Sequence, residues 1–289
     1  MKVAVFGGSG FLGTYLVNEL LKRNHEVYSF DLQAPSDDSG VKFSKLDILD
    51  RSKISEVFAA NNFEVVYNLA GFANLDKAVE FPVETVQLNV MGNLYILDEC
   101  KKHGVKRYVY ASSAYAMSDK GTFYGISKLS SEKIIEEYGE KYKLPFTILR
   151  YGSIYSEQNF ENNYIFNLVK KAIETGAINH EGDGNEIREY IHAADAAKLS
   201  ADVIEKNDFS GKHLILTGVE RIKRVELFNM INEILGNKIK INLTNDGYKH
   251  HYKYTPYSFS PQESQKLTPN PYIDMGQGIL NCIREVHNK

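Results

Sequence analysis

Val3-Ala4-Val5-Phe6-Gly7-Gly8-Ser9-Gly10-Phe11-Leu12-Gly13 opens the chain, and Asp31 stands 18 residues beyond the last of these glycines. Residues 3–6 have the apolar, partly β-branched composition of a buried strand. Glycines at 7, 10 and 13 then give Gly-x-x-Gly-x-x-Gly, and residues 11–22 read as an amphipathic helix. Gly7 permits a tight turn, Gly10 lets the backbone approach a pyrophosphate, and Gly13 lets the helix pack on the strand. The exposed amides and positive end of that helix suit phosphates. Alone, the glycine trio is only a turn. Placed after a strand and followed by a carboxylate at the end of the next one, it predicts a dinucleotide site. A carboxylate at Asp31 accepts hydrogen bonds from ribose hydroxyls and repels a 2′-phosphate, which favours NAD over NADP.

The alternation continues through the first two-thirds of the chain. Short β-branched and aromatic runs at 27–30, 64–68, 107–110 and 146–150 read as buried parallel strands. Stretches 83–102 and 123–142 read as helices between them. This order predicts an α/β fold, a Rossmann-type doubly wound parallel sheet with helices on both faces. Such sheets bind ligands beyond the carboxyl ends of their strands, where strand order reverses. After about residue 155 the pattern loosens. A helix is expected over 163–175, a glycine-rich turn at 181–184, a strand at 187–192, another at 213–216 returning to the first sheet, and a closing helix over 275–286. Segment 248–257, rich in His, Lys and Tyr, reads as an ordered loop. The expected division is a dinucleotide-binding domain, 1–155 plus about 193–217, and a smaller α/β substrate-binding region, 156–192 plus 218–289.

Composition narrows the function classes. The 289 residues carry 34 Lys and Arg against 37 Asp and Glu, a net charge of −3, not the basic balance of a nucleic-acid binder. No apolar run reaches the roughly 20 residues that cross a bilayer, and the N-terminus does not read as a secretory signal. Cys100 and Cys282 make no disulfide framework, so a reducing cytoplasm is the expected setting. The eight histidines show no metal-site spacing, and no metal is expected.

Tyr124-Gly125-Ile126-Ser127-Lys128 places a phenol and an ammonium four residues apart, on one face of the expected helix. A nearby ammonium favours phenolate, so the tyrosine becomes a usable base. By spacing alone, a tyrosine packed on the sheet beside a solvated lysine reads as well. Ser112-Ser113, at the ligand end of the strand before it, favours chemistry. Asp47, in Lys45-Leu46-Asp47-Ile48, lies where a third strand would end; it reads as an adenine contact or as a helix cap before Arg51.

Taken together, the chain resembles the extended short-chain dehydrogenase/reductases, specifically their NAD-dependent nucleotide-sugar epimerase/dehydratase group, which is UDP-galactose 4-epimerase-like. The likeness is carried by the glycine loop, Asn68-Leu69-Ala70-Gly71, Asn89-Val90-Met91-Gly92-Asn93, Tyr110-Ala111-Ser112-Ser113, Tyr124 with Lys128, and Leu149-Arg150-Tyr151-Gly152. It extends to Arg188-Glu189-Tyr190-Ile191-His192 with Asp195. The resemblance implies that Tyr124 is the base. Lys128 lowers its pKa and holds the nicotinamide ribose, and Ser113 hydrogen-bonds the reacting sugar hydroxyl. It implies a cofactor site of Gly7, Gly10, Phe11, Leu12, Gly13, Asp31, Asp47, Ile48, Leu69, Ala70 and Gly71, with Tyr124 and Lys128. Arg188 and Asn163 are implied at the substrate diphosphate, where a guanidinium is well suited. Pairing with Glu186 or Glu189 is the plainer alternative for Arg188. Asn89 is implied behind the site, in a structural role.

Departures from the group's pattern concern the substrate. Its dehydratases carry Asp-Glu directly after their active-site threonine, whereas Ser113 is followed by Ala114-Tyr115, which argues against water loss. Tyr124 follows Ser113 by only 11 positions, a shorter loop than most of the group has. Gly152-Ser153 stands in place of the usual Phe-Asn. The group's Arg-Arg-x-Gly-Asp is missing near the C-terminus, where His250, His251 or Lys253 are the nearby substitutes. The expected activity is epimerisation of a nucleotide-diphosphate sugar at C4 through a transient keto sugar. A dehydrogenase or keto-sugar reductase is the alternative, and a non-catalytic NAD-binding sensor a weaker one. Val86, Val90, Leu94 and Leu97, alongside Leu88, Tyr95 and Ile96, give helix 83–102 more than one apolar stripe; Leu129, Ile134, Ile135 and Tyr138 do the same on 123–142. The excess predicts a second burial partner and hence a homodimer.

Overall fold

Val3 and Val5 point to one face of the opening strand, Ala4 and Phe6 to the other, and all four are completely buried. A strand covered on both sides needs neighbours on both edges and helices on both faces, and the computed structural model supplies them. It describes residues 1–36, 40–244, 251–256 and 265–288. The chain runs β1 (Lys2–Phe6), α1 (Phe11–Lys22), β2 (Glu26–Asp31), β3 (Lys42–Lys45), α2 (Arg51–Ala60), β4 (Val65–Asn68), α3 (Leu75–Glu80) and α4 (Pro82–Val86). A π-helical turn (Gln87–Gly92) leads into α5 (Asn93–Lys102), β5 (Arg107–Ser113), α6 (Thr122–Tyr142), β6 (Phe146–Tyr151) and β7 (Ser153–Tyr155). Then come α7 (Tyr164–Thr175), β8 (Ala177–Glu181), β9 (Ile187–His192), α8 (Ala193–Glu205), β10 (Lys212–Leu216) and β11 (Arg221–Lys223). The last described elements are α9 (Arg224–Ile234), β12 (Lys240–Thr244), β13 (Gln265–Leu267) and α10 (Met275–His287).

Among the described residues, eight strands form the main sheet, in the order β13-β10-β6-β5-β4-β1-β2-β3. Every pairing in it is parallel. The chain builds outward from β1 to β3, then restarts on the other side of β1 at β4. Strand order therefore reverses between β1 and β4, and a crevice opens past Phe6 and Asn68. On one face Val3 and Val5 pack with Leu16, Val17 and Leu20 of α1 and Ala196, Ala197 and Ala201 of α8. On the other, Ala4 and Phe6 pack with Ile54 and Phe58 of α2, Ile96 and Leu97 of α5, and Ile135 of α6. Burying each such large side chain is worth about 1.5–3 kcal/mol. A third core joins Phe166 and Val169 of α7, Phe228 and Ile231 of α9, and Ile279 and Ile283 of α10. Beside it lie two small sheets, β11-β9-β7 and β12-β8.

Three features depart from the sequence reading. Helix 83–102 is interrupted by the π-helical turn at Gln87–Gly92. β5 does not stop at Tyr110: Ala111, Ser112 and Ser113 pair with Leu149, Arg150 and Tyr151, and α6 supplies partners to the Ala111 carbonyl through Lys128 and to the Ser112 hydroxyl through Glu132. β13, within the stretch read as substrate-binding, adds a parallel edge strand beside β10. No helix among the described residues is long and apolar enough to cross a membrane. His250 lies outside the described residues, and of segment 248–257 only 251–256 are described.

Candidate active site

The β1–α1 loop is shaped by its glycines. Gly7 has φ +82°, and a Cβ there would sit 2.6 Å from the Ala70 amide nitrogen; at Gly13 it would sit 2.0 Å from the Gly7 carbonyl oxygen. Neither position admits a side chain. α1 starts at Gly10 with no side-chain cap and no acidic residue in its first turn, which leaves a helix N-terminus suited to an anion. Asp31 ends β2 and bridges back to the loop, its Oδ2 accepting from the Ser9 amide at 3.0 Å and its Oδ1 from the Leu32 amide at 2.7 Å.

A cavity of about 460 Å³ fills the crevice. Its wall includes Gly7, Gly10, Phe11, Leu12, Gly13, Asp31, Asp47, Ile48, Leu69, Ala70 and Gly71, and at its far end Ser113, Tyr124 and Lys128. Asp47 is not the cap of α2, since Asp50 fills that place by accepting from the Lys53 amide at 3.1 Å. Asn89 sits behind the wall. Its carboxamide accepts from the Phe72 amide at 2.7 Å and donates to the Ser127 hydroxyl at 2.9 Å, tying the loop after β4 to α6.

Lys128 Nζ donates to the Ala111 carbonyl at 2.8 Å and lies 5.9 Å from the centre of the Tyr124 ring. Burial pushes its ammonium down to about 8, with the Glu132 carboxylate opposing. Burial also raises the Tyr124 phenol, and a hydrogen bond with the Ser113 hydroxyl works the other way.

The substrate end differs more from expectation. Arg188 is buried, donates to the Ile187 carbonyl at 2.8 Å and stacks its guanidinium 4.1 Å from the centre of the Tyr252 ring. Glu186 pairs with His180 at 3.1 Å and Glu189 with Lys266 at 2.7 Å. Asn163 is the N-cap of α7. Its amide donates to the carbonyls of Ser156 and Gln158 at 2.7 and 2.8 Å, and its neighbour Asn162 lines the cavity. Lys253 binds Asp183 at 2.9 Å on the surface. His251 joins the Tyr115 hydroxyl at 2.7 Å and Asp76 at 3.2 Å. Tyr115 packs edge-on against Tyr124 and tilted against Tyr252. Sequence reading passed over Tyr115, Tyr252 and Asn162. The available signal was that Tyr115 follows Ser113 by two residues and Asn162 adjoins Asn163.

The crevice, with its bare helix end, glycine cradle and the Asp31 carboxylate at the end of β2, fits a nicotinamide dinucleotide, and the fold is that of a dinucleotide-binding α/β protein. The NAD dependent epimerase/dehydratase family model matches residues 3–216. The chain belongs to that family, and its cofactor is NAD. A UDP-glucose 4-epimerase of Haemophilus influenzae is 30% identical, over 81% of this chain and 83% of its own. Among solved structures, a UDP-glucose 4-epimerase from Thermotoga maritima with UDP-glucose superposes at a TM-score of 0.85, with 21% identity and coverage of 100% and 99% of the two chains. A UDP-glucuronic acid 4-epimerase from Bacillus cereus, in complex with UDP-glucuronic acid and NAD, gives 0.84, 20% identity and the same coverage. At these identities the two structures speak for the shared fold.

Proposed function

We propose that the protein is an NAD-dependent nucleotide-sugar epimerase that inverts C4 of a hexose through a transient 4-keto sugar. The observation that carries this reading is the meeting of Ser113, Tyr124 and Lys128 on the wall of the cavity that the glycine loop and Asp31 also line. When bound, NAD supplies a reversible hydride acceptor. Gly7, Gly10, Gly13 and Asp31 hold its adenosine diphosphate side, and Lys128 its nicotinamide ribose. Tyr124 takes the proton of the C4 hydroxyl as that carbon becomes a ketone, and gives it back when the opposite face is reduced. Ser113 orients the reacting hydroxyl, and Lys128 stabilises the phenolate. The sugar gains and loses nothing overall.

Arg188 is assigned to the substrate diphosphate. A buried guanidinium with one face on Tyr252 is a permanently charged, preoriented partner for phosphate. The named relatives act on UDP-sugars, so a UDP-hexose is the first substrate to try. We read residues 1–155 with about 193–217 as the NAD-binding domain, and 156–192 with 218–289 as the nucleotide-sugar region, in a cytoplasmic homodimer. Incubation with UDP-, GDP-, CDP- and dTDP-sugars, read by mass and NMR, tests the activity. A product of unchanged mass, inverted at C4, is expected. Loss of two mass units would instead mean a dehydrogenase, and no change with any sugar would favour the sensor.

A further inference from the structure

Three successive residues of β5 are each held by a different turn of α6. The Ala111 carbonyl accepts from Lys128 Nζ at 2.8 Å, the Ser112 hydroxyl donates to Glu132 Oε1 at 2.5 Å, and the Ser113 hydroxyl shares a hydrogen bond with the Tyr124 phenol. Tyr124, Lys128 and Glu132 are spaced by four, so they form one stripe along the helix. The contact of Ser112 with Glu132 is the most firmly anchored. Arg150 on β6 is the register partner of Ser112, and it grips the Glu132 carboxylate with Nε at 2.9 Å and Nη2 at 2.6 Å. Glu132 is 0% exposed and Arg150 3%. A buried ion pair adds little stability over packed apolar residues of the same volume. Its presence one helical turn behind Lys128 therefore calls for a functional reason.

We propose that Glu132, held by Arg150, is a positioning residue for Lys128, fixing the register of α6 on β5 and turning a negative potential toward the ammonium. This assignment rests on the reading of Lys128 given above. Glu132 faces Arg150 from β6, Ser112 and Tyr110 from β5, and His213 from β10 at 3.6 Å, with Lys128 and Glu136 on its own helix. At Lys128, the carboxylate is the charge that opposes the cost of burial. Removing that charge makes the lysine lose its proton at lower pH.

Titration of the Lys128 side chain by ¹³C NMR in the NAD-bound protein tests this, with the pH profile of turnover recorded beside it. Glu132→Gln keeps an oxygen for Ser112 and Arg150 but loses the charge. In it Lys128 is expected to titrate about one pH unit lower than in the wild type, and the alkaline limb of turnover to move the same way. The double variant Glu132→Gln/Arg150→Met removes the buried charge altogether, which favours folding where the single variant fails, and its shift is expected in the same direction but smaller, because the opposing guanidinium leaves with the carboxylate. Undiminished turnover in Lys128→Ala would overturn the catalytic reading of Lys128 while leaving the NMR titration to decide the role of Glu132. An unmoved titration in either folded variant, or loss of folding in both, would overturn the proposal.

Discussion

At Tyr124 two influences compete. Burial raises the phenol above its ordinary value, while the hydrogen bond with the Ser113 hydroxyl draws it toward phenolate. A base set up this way acts only while its partners are in place. Tyr124→Phe keeps the packing against Tyr115 but removes the atom that moves the proton. It is expected to bind NAD as the wild type does and to lose about 10²–10⁴ in turnover. Ser113→Ala, which leaves the phenol in place, is expected to lose less. Steady-state kinetics and a cofactor titration check both, and a Phe variant of near-normal activity would contradict the mechanism. That Ser113, Tyr124 and Lys128 lie on one cavity wall was legible in the sequence, because Ser113 ends a strand and the other two share a helix face at the ligand edge. Asn163 was not: the choice between two adjacent asparagines is made by α7, whose first turn takes the Asn163 side chain as its cap and leaves Asn162 to the cavity.

α4 and α6 both expose apolar side chains, alongside the exposed Glu84 of α4. Val83 and Ile126 are each 62% exposed, and Val86, Met91, Phe123 and Leu129 are exposed near them. Ile96, Leu97 and Cys100 of α5 are spent on the sheet, so the outward stripe is a separate one. A second copy presenting the same stripe would cover it across a two-fold axis. We expect a dimer by light scattering at micromolar concentration, and a shift toward monomer in Ile126→Glu, which places a charge at the centre of the patch. A wild-type monomer would contradict the assignment. Elements buried on both faces, such as β1 and β4, were readable because residues 3–6 and 65–67 are unbroken runs of apolar and aromatic side chains. β8, β12 and β13 were not, since they are short, partly exposed strands whose pairing is fixed by distant segments of the chain. The π-helical turn left no periodic signal either.

Across the molecule, the region built on the third core meets the main sheet around one crevice. Phe160 stacks on Phe11 of the glycine loop with ring centres 5.2 Å apart, Glu161 pairs with Lys77, and His251 reaches Asp76. Such contacts suit a site in which a keto sugar is formed and reduced again before release, which is the central claim here. A UDP-hexose carrying deuterium at C4, incubated with the NAD-bound protein in ordinary water, tests that claim most directly. The account predicts a C4 epimer that keeps its deuterium at C4, with no label lost to solvent and no net NADH. An epimer that has exchanged deuterium for solvent hydrogen, or a keto sugar accumulating with NADH, would contradict it.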